Sequence, residues 1–129
     1  MNKSVLIIEN DEALSSVEAF YFNEQGYTVY TAFDGDEGVK LALQHKPTAI
    51  ICDVIMSEMH GFDVLRTLRA HPDAKNAVII MTSSKAYKPD IDRARELGAT
   101  DYVVKPFRTD ELMALIERHV AASQLQEAR

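Results

Sequence analysis

Ala49-Ile50-Ile51-Cys52-Asp53 is the stretch that decides the fold, because four apolar residues run directly into one carboxylate. With Thr48 included and Pro47 before it, the run is typical of a central strand that is covered on both faces of a parallel sheet. An ionisable residue that follows such a strand lies at its carboxyl end, where open parallel sheets bind their ligands. Asp53 alone has an ordinary alternative, since aspartate also caps helices and turns.

Three other apolar runs end in polar residues in the same way. The polar groups that follow runs 5–8, 78–81 and 102–104 are Glu9-Asn10-Asp11, Thr82-Ser83 and Lys105. Taken singly, Lys105 reads as a solvated lysine and Thr82 as a helix cap. Because the carboxyl ends of parallel strands meet at one edge of a sheet, we predict that these groups form one site with Asp53.

Length and composition place the chain among compact single-domain proteins. It has 129 residues, nearly half of them apolar, and 14 basic against 20 acidic residues give a net charge of −6. That balance argues against a nucleic-acid surface. No signal peptide or membrane-spanning run is visible, and a lone Cys52 within a strand suits a reducing cytoplasm. The four histidines show no spacing typical of metal ligands.

Strand and helix signals alternate along the whole chain, which predicts a parallel sheet with helices on both faces. The predicted strands are 4–8, 27–32, 48–52, 77–81 and 101–104. The predicted helices begin at Asn10 or Asp11, at Asp36, at Phe62, after Ser84 with an unsettled start at 85–88, and at a Thr109 cap. The first helix is expected to bury the stripe Ala13, Leu14, Val17, Phe20 and Tyr21, which recurs at helical spacing.

The predicted site has the equipment of phosphoryl transfer. Clustered oxygen ligands without sulfur or imidazole suit Mg²⁺. Next to such an ion Asp53 would be the nucleophile that forms an acyl phosphate. Lys105 would meet one phosphoryl oxygen as a point charge, and Thr82 would donate a hydrogen bond to another.

The sequence resembles the CheY-like receiver domain of two-component response regulators. The motifs that carry the likeness are Glu9-Asn10-Asp11 after VLII, Asp53 in ICDVIM, Gly61, Thr82 in IIMTSS, and ELGATDYVVKPF at 96–107. The likeness covers residues 5–120, and the last motif is the most specific. We therefore expect a receiver domain over residues 1–122, followed by a tail or linker at 123–129.

The resemblance implies a single (βα)5 flavodoxin-like, doubly wound domain with a five-stranded parallel sheet. It implies phosphotransfer to Asp53 from a histidine kinase or a phosphotransfer protein. It also implies that Thr82 and Tyr102 act as a switch that changes the face of the fourth helix, fifth strand and fifth helix, which would serve a downstream protein, a fused output domain or a homodimer. The implied Mg²⁺ ligands are Glu9, Asn10, Asp11, Asp53 and the Ile55 carbonyl. The phosphoryl lifetime should depend on Ile55 and Ser84.

Two positions depart from the family pattern. Asn10 stands where a metal-ligating aspartate is usual, and Ser57 stands where a proline is usual. An amide oxygen brings no charge to a divalent ion, so we expect a weaker magnesium site and not an absent one.

Two other function classes stay open. The first is a receiver that no longer responds to phosphate and binds a partner constitutively. Asn10 in the acidic run is the reason to consider it. A flavin protein or an aspartate-nucleophile phosphatase is an enzyme of a related kind, but Glu9-Asn10-Asp11 would repel a phosphate after the first strand, and the chain leaves little room for a substrate cap. We expect a phosphoacceptor with at most self-dephosphorylation and therefore not an enzyme, with no direct contact to nucleic acid or membrane.

Overall fold

Five strands alternate with five helices in the computed structural model, which describes residues 3–55 and 60–127, with backbone alone at 126–127. The strands are β1 (Ser4–Ile8), β2 (Thr28–Ala32), β3 (Ala49–Asp53), β4 (Val78–Ser83) and β5 (Asp101–Val104). The helices are α1 (Glu12–Glu24), α2 (Gly35–His45), α3 (Gly61–Ala70), α4 (Lys88–Glu96) and α5 (Thr109–Glu127). All strand pairs are parallel, in the order β2-β1-β3-β4-β5. The predicted (βα)5 flavodoxin-like class is confirmed.

The three central strands are buried on both faces because alternate side chains enter two separate apolar layers. One layer contains Leu6, Ile50 and Ile79 with residues of α2, α3 and α4. The other contains Ile7, Ile51 and Ile80 with residues of α1 and α5. Among the described helices, none is long and apolar enough to cross a membrane.

Strand register fixes where the polar groups meet. Asp53 pairs with Thr82 between β3 and β4, and Ile8 pairs with Cys52 between β1 and β3, so Glu9 lies one residue beyond the same edge. β3 and β4 end at Asp53 and Ser83, one and two residues later than predicted. Asp53 and Thr82 are paired strand residues, and this fixes their backbone more firmly than a loop would.

Helix ends follow the local chemistry. The Asp11 carboxylate accepts a hydrogen bond from the Leu14 N–H and caps α1. Gly26 and Gly98 follow α1 and α4 with φ of 91° and 98°, a left-handed conformation that favours glycine. Pro89 lies in the first turn of α4, so this helix begins at Lys88 and the preceding residues 84–87 are outside it.

Two expectations about α5 differ from the structure. Thr109 is the first residue of the helix and not its cap, since the Arg108 carbonyl already accepts from the Leu112 N–H. The stretch predicted as a tail from residue 123 is helical as far as Glu127. Its role as a tail or a linker stays a prediction.

The predicted buried stripe of α1 is wrong. Val17 and Phe20 are 59% and 69% exposed, whereas the buried residues of this helix are Ser15, Glu18 and Phe22. The directions of the predicted stripe and of the buried face differ by roughly 130° at 100° per residue. Phe22 decides the orientation, because it is fully buried and packs edge-on against Tyr27.

As a result, α1 buries a carboxyl group. Glu18 is 1% exposed, and neither of its carboxyl oxygens has a hydrogen-bond partner among the described residues. Burial, with a smaller contribution from the negative charge of Glu9, raises the pKa of Glu18 to about 8. An unpaired buried polar group of this kind costs folding free energy.

Gly61 begins α3 and lies against the end of β3. A Cβ atom at this position would be 2.1 Å from the Asp53 carbonyl oxygen and 2.7 Å from the Val54 Cα. Glycine is therefore required by close backbone approach and not by an unusual φ. The Gly61 N–H also donates to the Val54 carbonyl, which ties the start of α3 to the segment after Asp53.

Arg69 of α3 joins three connections at the opposite edge of the sheet. Its guanidinium donates to the carbonyls of Gly98 and Ala77, each at 2.7 Å, and to that of Lys75 at 3.0 Å. It also donates to the Thr100 hydroxyl, which itself accepts from the Ile79 N–H. The segment after α4 is therefore held to α3 and to the start of β4.

Replacing Glu18 with leucine should stabilise the fold. The group has a raised pKa in the folded state, so its contribution to stability is fully present below the unfolded-state value of about 4.5 and is lost as pH rises through about 8. We expect Glu18→Leu to raise the free energy of unfolding by about 2–3 kcal/mol at pH 7 and by much less at pH 4.5. Urea denaturation between these pH values measures the difference.

The matched control is Glu24→Leu, which changes an exposed glutamate of the same helix and should show no such pH-dependent gain. A stability difference between Glu18→Leu and the unmodified chain that stays constant from pH 4.5 to 8 would contradict the expectation.

Candidate functional site

One ammonium group joins two buried carboxylates at the carboxyl edge of the sheet. Lys105 Nζ donates to Glu9 Oε1 at 2.6 Å and to Asp53 Oδ2 at 3.0 Å. Glu9 and Asp53 are only 3% and 6% exposed. The structure thus brings together the acidic run after β1, the carboxylate of β3 and the lysine after β5, as the sequence predicted.

The strands hold these side chains on the same side of the sheet. In-register neighbours in a parallel pair point to one face, so Asp53 and Thr82 share a face. That face is the one covered by α1 and α5, because Ile51 and Ile80, two residues earlier, belong to that layer. The Lys105 N–H donates to the Ser83 carbonyl at 2.7 Å, which fixes the start of the segment after β5.

The remaining oxygen of Asp53 is held by the backbone. Asp53 Oδ1 accepts from the Ile55 N–H at 3.2 Å, and the Val54 N–H donates to the Thr82 carbonyl. Thr82 is 1% exposed beside Asp53. The carboxylate is therefore oriented by one amide and one ammonium, with a buried hydroxyl-bearing residue on the adjacent strand.

The acidic run divides into three roles. Glu9 faces Lys105 and accepts from the Asp11 N–H through Oε2 at 3.1 Å. Asp11 uses Oδ1 to cap α1, and Asn10 is exposed at the rim. Across residues 3–55 and 60–127, no three histidine, cysteine, aspartate or glutamate side chains gather closely enough to hold a metal ion. Any cation here would need neutral oxygens and water as well as carboxylates.

Burial and pairing act in opposite directions on the charged groups. Burial raises the pKa of the Glu9 carboxyl, and the ammonium of Lys105 opposes that rise without cancelling it. Burial works to lower the pKa of Lys105, but its hydrogen bonds to Glu9 and Asp53 outweigh burial and leave the pKa raised. Lys105 is therefore firmly cationic. Burial also raises the pKa of the Cys52 thiol, which makes it an inert core residue.

The other predicted residues surround this centre without touching it. The Tyr102 hydroxyl donates to the Lys85 carbonyl at 3.0 Å, so the ring is held against the segment that precedes α4. Ser84 and Ile55 are exposed at the rim of the site. Ser57 lies outside the described residues.

Two contributors have roles that sequence reasoning did not predict: Ser83 was placed at the sheet edge without a role, and Glu18 was missed. The Ser83 hydroxyl accepts from the Lys85 N–H at 3.1 Å and shapes the chain after β4. Glu18 of α1 feels the charges of Glu9, Lys105 and Asp53. Ser15, Glu18 and Phe22 recur at helical spacing, and this was the available signal for Glu18. The neighbouring α1 positions are more apolar, so they were predicted to be the buried side instead.

A shallow cavity of about 380 Å³ opens beside the ion pair. Leu14, Lys105 and Phe107 are among its lining residues. We call the apolar residues Ala13, Leu14, Val17, Phe20 and Tyr21, which are exposed or half-buried, the α1 stripe.

Comparison with known proteins gives a consistent result. The profile of the response regulator receiver domain family matches residues 5–117. The chemotaxis protein CheY4 of Vibrio cholerae is 27% identical, with a TM-score of 0.87 over 92% of this chain and 98% of that chain. The signal receiver domain of a signal transduction histidine kinase from Syntrophus aciditrophicus is 28% identical, with a TM-score of 0.84 over 93% and 91% of the two chains.

A third similar structure holds a metal. The receiver domain of the sensor histidine kinase PA1611 from Pseudomonas aeruginosa is 25% identical, with a TM-score of 0.85 over 94% of this chain and 99% of that chain. It has a magnesium ion coordinated in its active site cleft. The family profile spans most of the sequence, and the fold agrees with it, so this chain belongs to the response regulator receiver domain family.

Proposed function

We propose that this receiver domain is a phosphoacceptor switch in which Asp53 accepts a phosphoryl group from a phosphohistidine of a histidine kinase or phosphotransfer protein. The observation that carries the proposal is the junction of Asp53, Lys105 and Thr82 at one sheet edge, with one carboxylate held by an amide and an ammonium. A receiver domain is a signalling domain, and the site offers a carboxylate nucleophile.

The transfer step is a single displacement. An Asp53 carboxylate oxygen forms a bond to phosphorus, the bond from phosphorus to the donor imidazole nitrogen breaks, and the imidazole leaves as a neutral ring once it holds a proton. Lys105 would turn from the carboxylate to a phosphoryl oxygen, and the Thr82 hydroxyl would donate to another. The protein supplies position and charge, which is the main contribution in phosphoryl transfer.

The donor set fits a magnesium ion. Glu9 and Asp53 are hard carboxylate ligands, and Asn10, Asp11 and the Ile55 carbonyl supply further oxygens at the rim. Two carboxylates with water suffice for Mg²⁺, so the absence of a third gathered acidic group among the described residues does not exclude it. A bound magnesium ion would offset negative charge on the phosphoryl oxygens. It would compete with Lys105 for Glu9, and the neutral Asn10 would leave its affinity lower than an aspartate would.

The output is a change in the face formed by α4, β5 and α5. Thr82 would move toward the phosphoryl group, and Tyr102 would leave the Lys85 carbonyl and rotate inward. A downstream protein, a fused output domain or a second copy would read this face. Ile55 and Ser84 at the rim would set how fast water removes the phosphoryl group, and such self-dephosphorylation would be the domain's only catalysis.

The phosphodonor protein docks on the α1 stripe. Val17 and Phe20 are exposed apolar side chains on a chain whose net charge is −6. Leu14 of the same helix lines the cavity beside Lys105, which pairs with Asp53. A donor that covers this stripe would place its histidine at the mouth of the site.

A constitutive interaction module is the second candidate. The neutral Asn10 in the acidic run favours it. Whether the unmodified chain can be phosphorylated separates the switch from the constitutive module.

Asp53 should be the phosphorylated residue. Incubation with a small phosphoramidate and Mg²⁺ should add the mass of one phosphoryl group to the unmodified chain, and Asp53→Asn should abolish that adduct because an amide is not a nucleophile here. Intact-protein mass spectrometry measures it. Asp34→Asn, which changes the cap of α2, is the control. No adduct on the unmodified chain would favour the constitutive module.

Restoring a carboxylate at position 10 should strengthen magnesium binding. Asn10→Asp adds one negative charge near the cation, which should raise the affinity by about ten- to a hundred-fold. Calorimetric titration measures the affinity. Asn23→Asp adds the same charge to the exposed end of α1 and should leave it unchanged. Equal affinities for Asn10→Asp and the unmodified chain would refute the argument.

Removing the large side chain of the α1 stripe should separate docking from chemistry. Phe20→Ala should slow transfer from a phosphorylated donor protein by about tenfold or more, while leaving phosphorylation by a small phosphoramidate unchanged. Rates of adduct formation test both. Leu125→Ala, at a residue of α5 that is 68% exposed, is the matched control. A similar slowing with both donors would place the effect in the site and not in docking.

A further inference from the structure

Glu18 lies over the face of the sheet that carries the phosphoacceptor site. Glu9, Asp53 and Lys105 follow Ile7, Ile51 and Val103 by two residues, and those three belong to the layer covered by α1 and α5. Glu18 is on the buried side of α1, between Ser15 and Phe22, where it feels the charges of all three site residues. Its carboxyl group is therefore a neighbour of the site without being one of its ligands.

Packing gives no reason for a carboxyl group at this position. Both oxygens are buried and find no donor or acceptor among the described residues, although leucine would fill the same space without that cost. Polar groups that reduce stability beside a reactive site often serve its chemistry.

The ionisable groups around Glu18 can be assigned to each element packed against α1. Near β1 and β3 these are Glu9 and Asp53, and after β5 it is Lys105. Before β2, Tyr27 donates to Glu117 of α5, which pairs with Lys3 at the far edge of the sheet. His119 of α5 pairs with Asp101. Among the residues whose side chains are described, the other charged groups at the start of α5 and along α1 and α5 are solvent-accessible: Arg108, Asp110, Glu111, Arg118, Asp11, Glu12 and Glu24. The three site residues are the charges that act on Glu18.

We propose that Glu18 is a proton-coupled positioning residue of the phosphoacceptor site: its carboxyl is neutral while Lys105 alone balances Glu9 and Asp53, and it releases its proton to solvent when a divalent cation joins those carboxylates. This inference rests on the proposed magnesium binding. Glu18 does not touch the reacting atoms and acts only through the charge it adds behind Glu9 and Lys105.

The charge balance of the site explains why Glu18 would lose its proton when the cation binds. Glu9 and Asp53 with Lys105 carry one net negative charge, which opposes a further buried anion. A divalent cation would reverse that sign, and an ionised Glu18 would then neutralise the excess. A nearby cation favours the charged form of an acid, so metal binding and proton release help each other. The ionised group would also supply part of the charge that Asn10 lacks.

Proton release on metal binding tests the proposal. Calorimetric titration of the full chain with MgCl₂ at pH 7.5, in two buffers of different ionisation enthalpy, gives the number of protons released per ion. The variants are Glu18→Gln, which has nearly the shape of the neutral acid, and Glu24→Gln, which removes an exposed carboxylate from the same helix. Circular dichroism establishes that each variant is folded.

We expect the unmodified chain and Glu24→Gln to release up to about three-quarters of a proton more than Glu18→Gln, since a group titrating near pH 8 is mostly protonated at pH 7.5. The magnesium affinity of the unmodified chain should also rise more steeply with pH between 6.5 and 8.5, by up to about tenfold per pH unit relative to Glu18→Gln.

Equal proton release and equal pH dependence in Glu18→Gln and the unmodified chain would overturn this inference and leave the proposed function intact. Failure of the unmodified chain to bind magnesium would overturn the inference together with the metal part of the proposed function. The two failures are therefore distinguishable in one set of titrations.

Discussion

The double ion pair of Lys105 with Glu9 and Asp53 is the interaction on which the rest of the site depends. Two carboxylates nearly removed from water would be very unfavourable without a cation, and the ammonium makes their burial tolerable. The three groups come from three separate strands, so the pair exists only if β1, β3 and β5 are in the correct register. The sheet therefore creates the site, and the site in turn favours this register.

The residues at the carboxyl edge of the sheet could be predicted from the sequence for a simple physical reason. Buried parallel strands are short continuous apolar runs, and the first polar residue after each run must emerge at the same edge. Asp53, Thr82 and Lys105 were located by that rule alone. Strand ends differed by one or two residues because Asp53 and Thr82, although polar, still complete backbone pairs with their neighbours.

The orientation of α1 could not be read in the same way. Its apolar stripe is on the outside, while Glu18 faces the sheet, so the local pattern pointed to the wrong side. Packing of Phe22 against Tyr27, which lies beyond the end of the helix, decides the orientation, and this contact is not visible in a helical period. The same difficulty applies to Asp11, whose role in capping α1 competes with the metal-binding role that its place in the acidic run suggested. Pattern reasoning was strongest where strands are buried on both faces and weakest for a helix that has apolar residues on its exposed side.

The five hydrogen bonds of Arg69 bear on how α4 can move. Two of them, to the Gly98 carbonyl and the Thr100 hydroxyl, hold the chain just after the carboxyl end of this helix, and the other three hold carbonyls of residues 74–77 before β4. The amino end of α4 follows exposed residues 84–87 and has no side-chain cap. A helix that is held at one end moves as a rigid body by rotating about that end. On the amino side the hydrogen bond from Tyr102 to the Lys85 carbonyl is the counterpart, so its loss would let α4 rotate about the end near Gly98, with a displacement that grows toward Lys88.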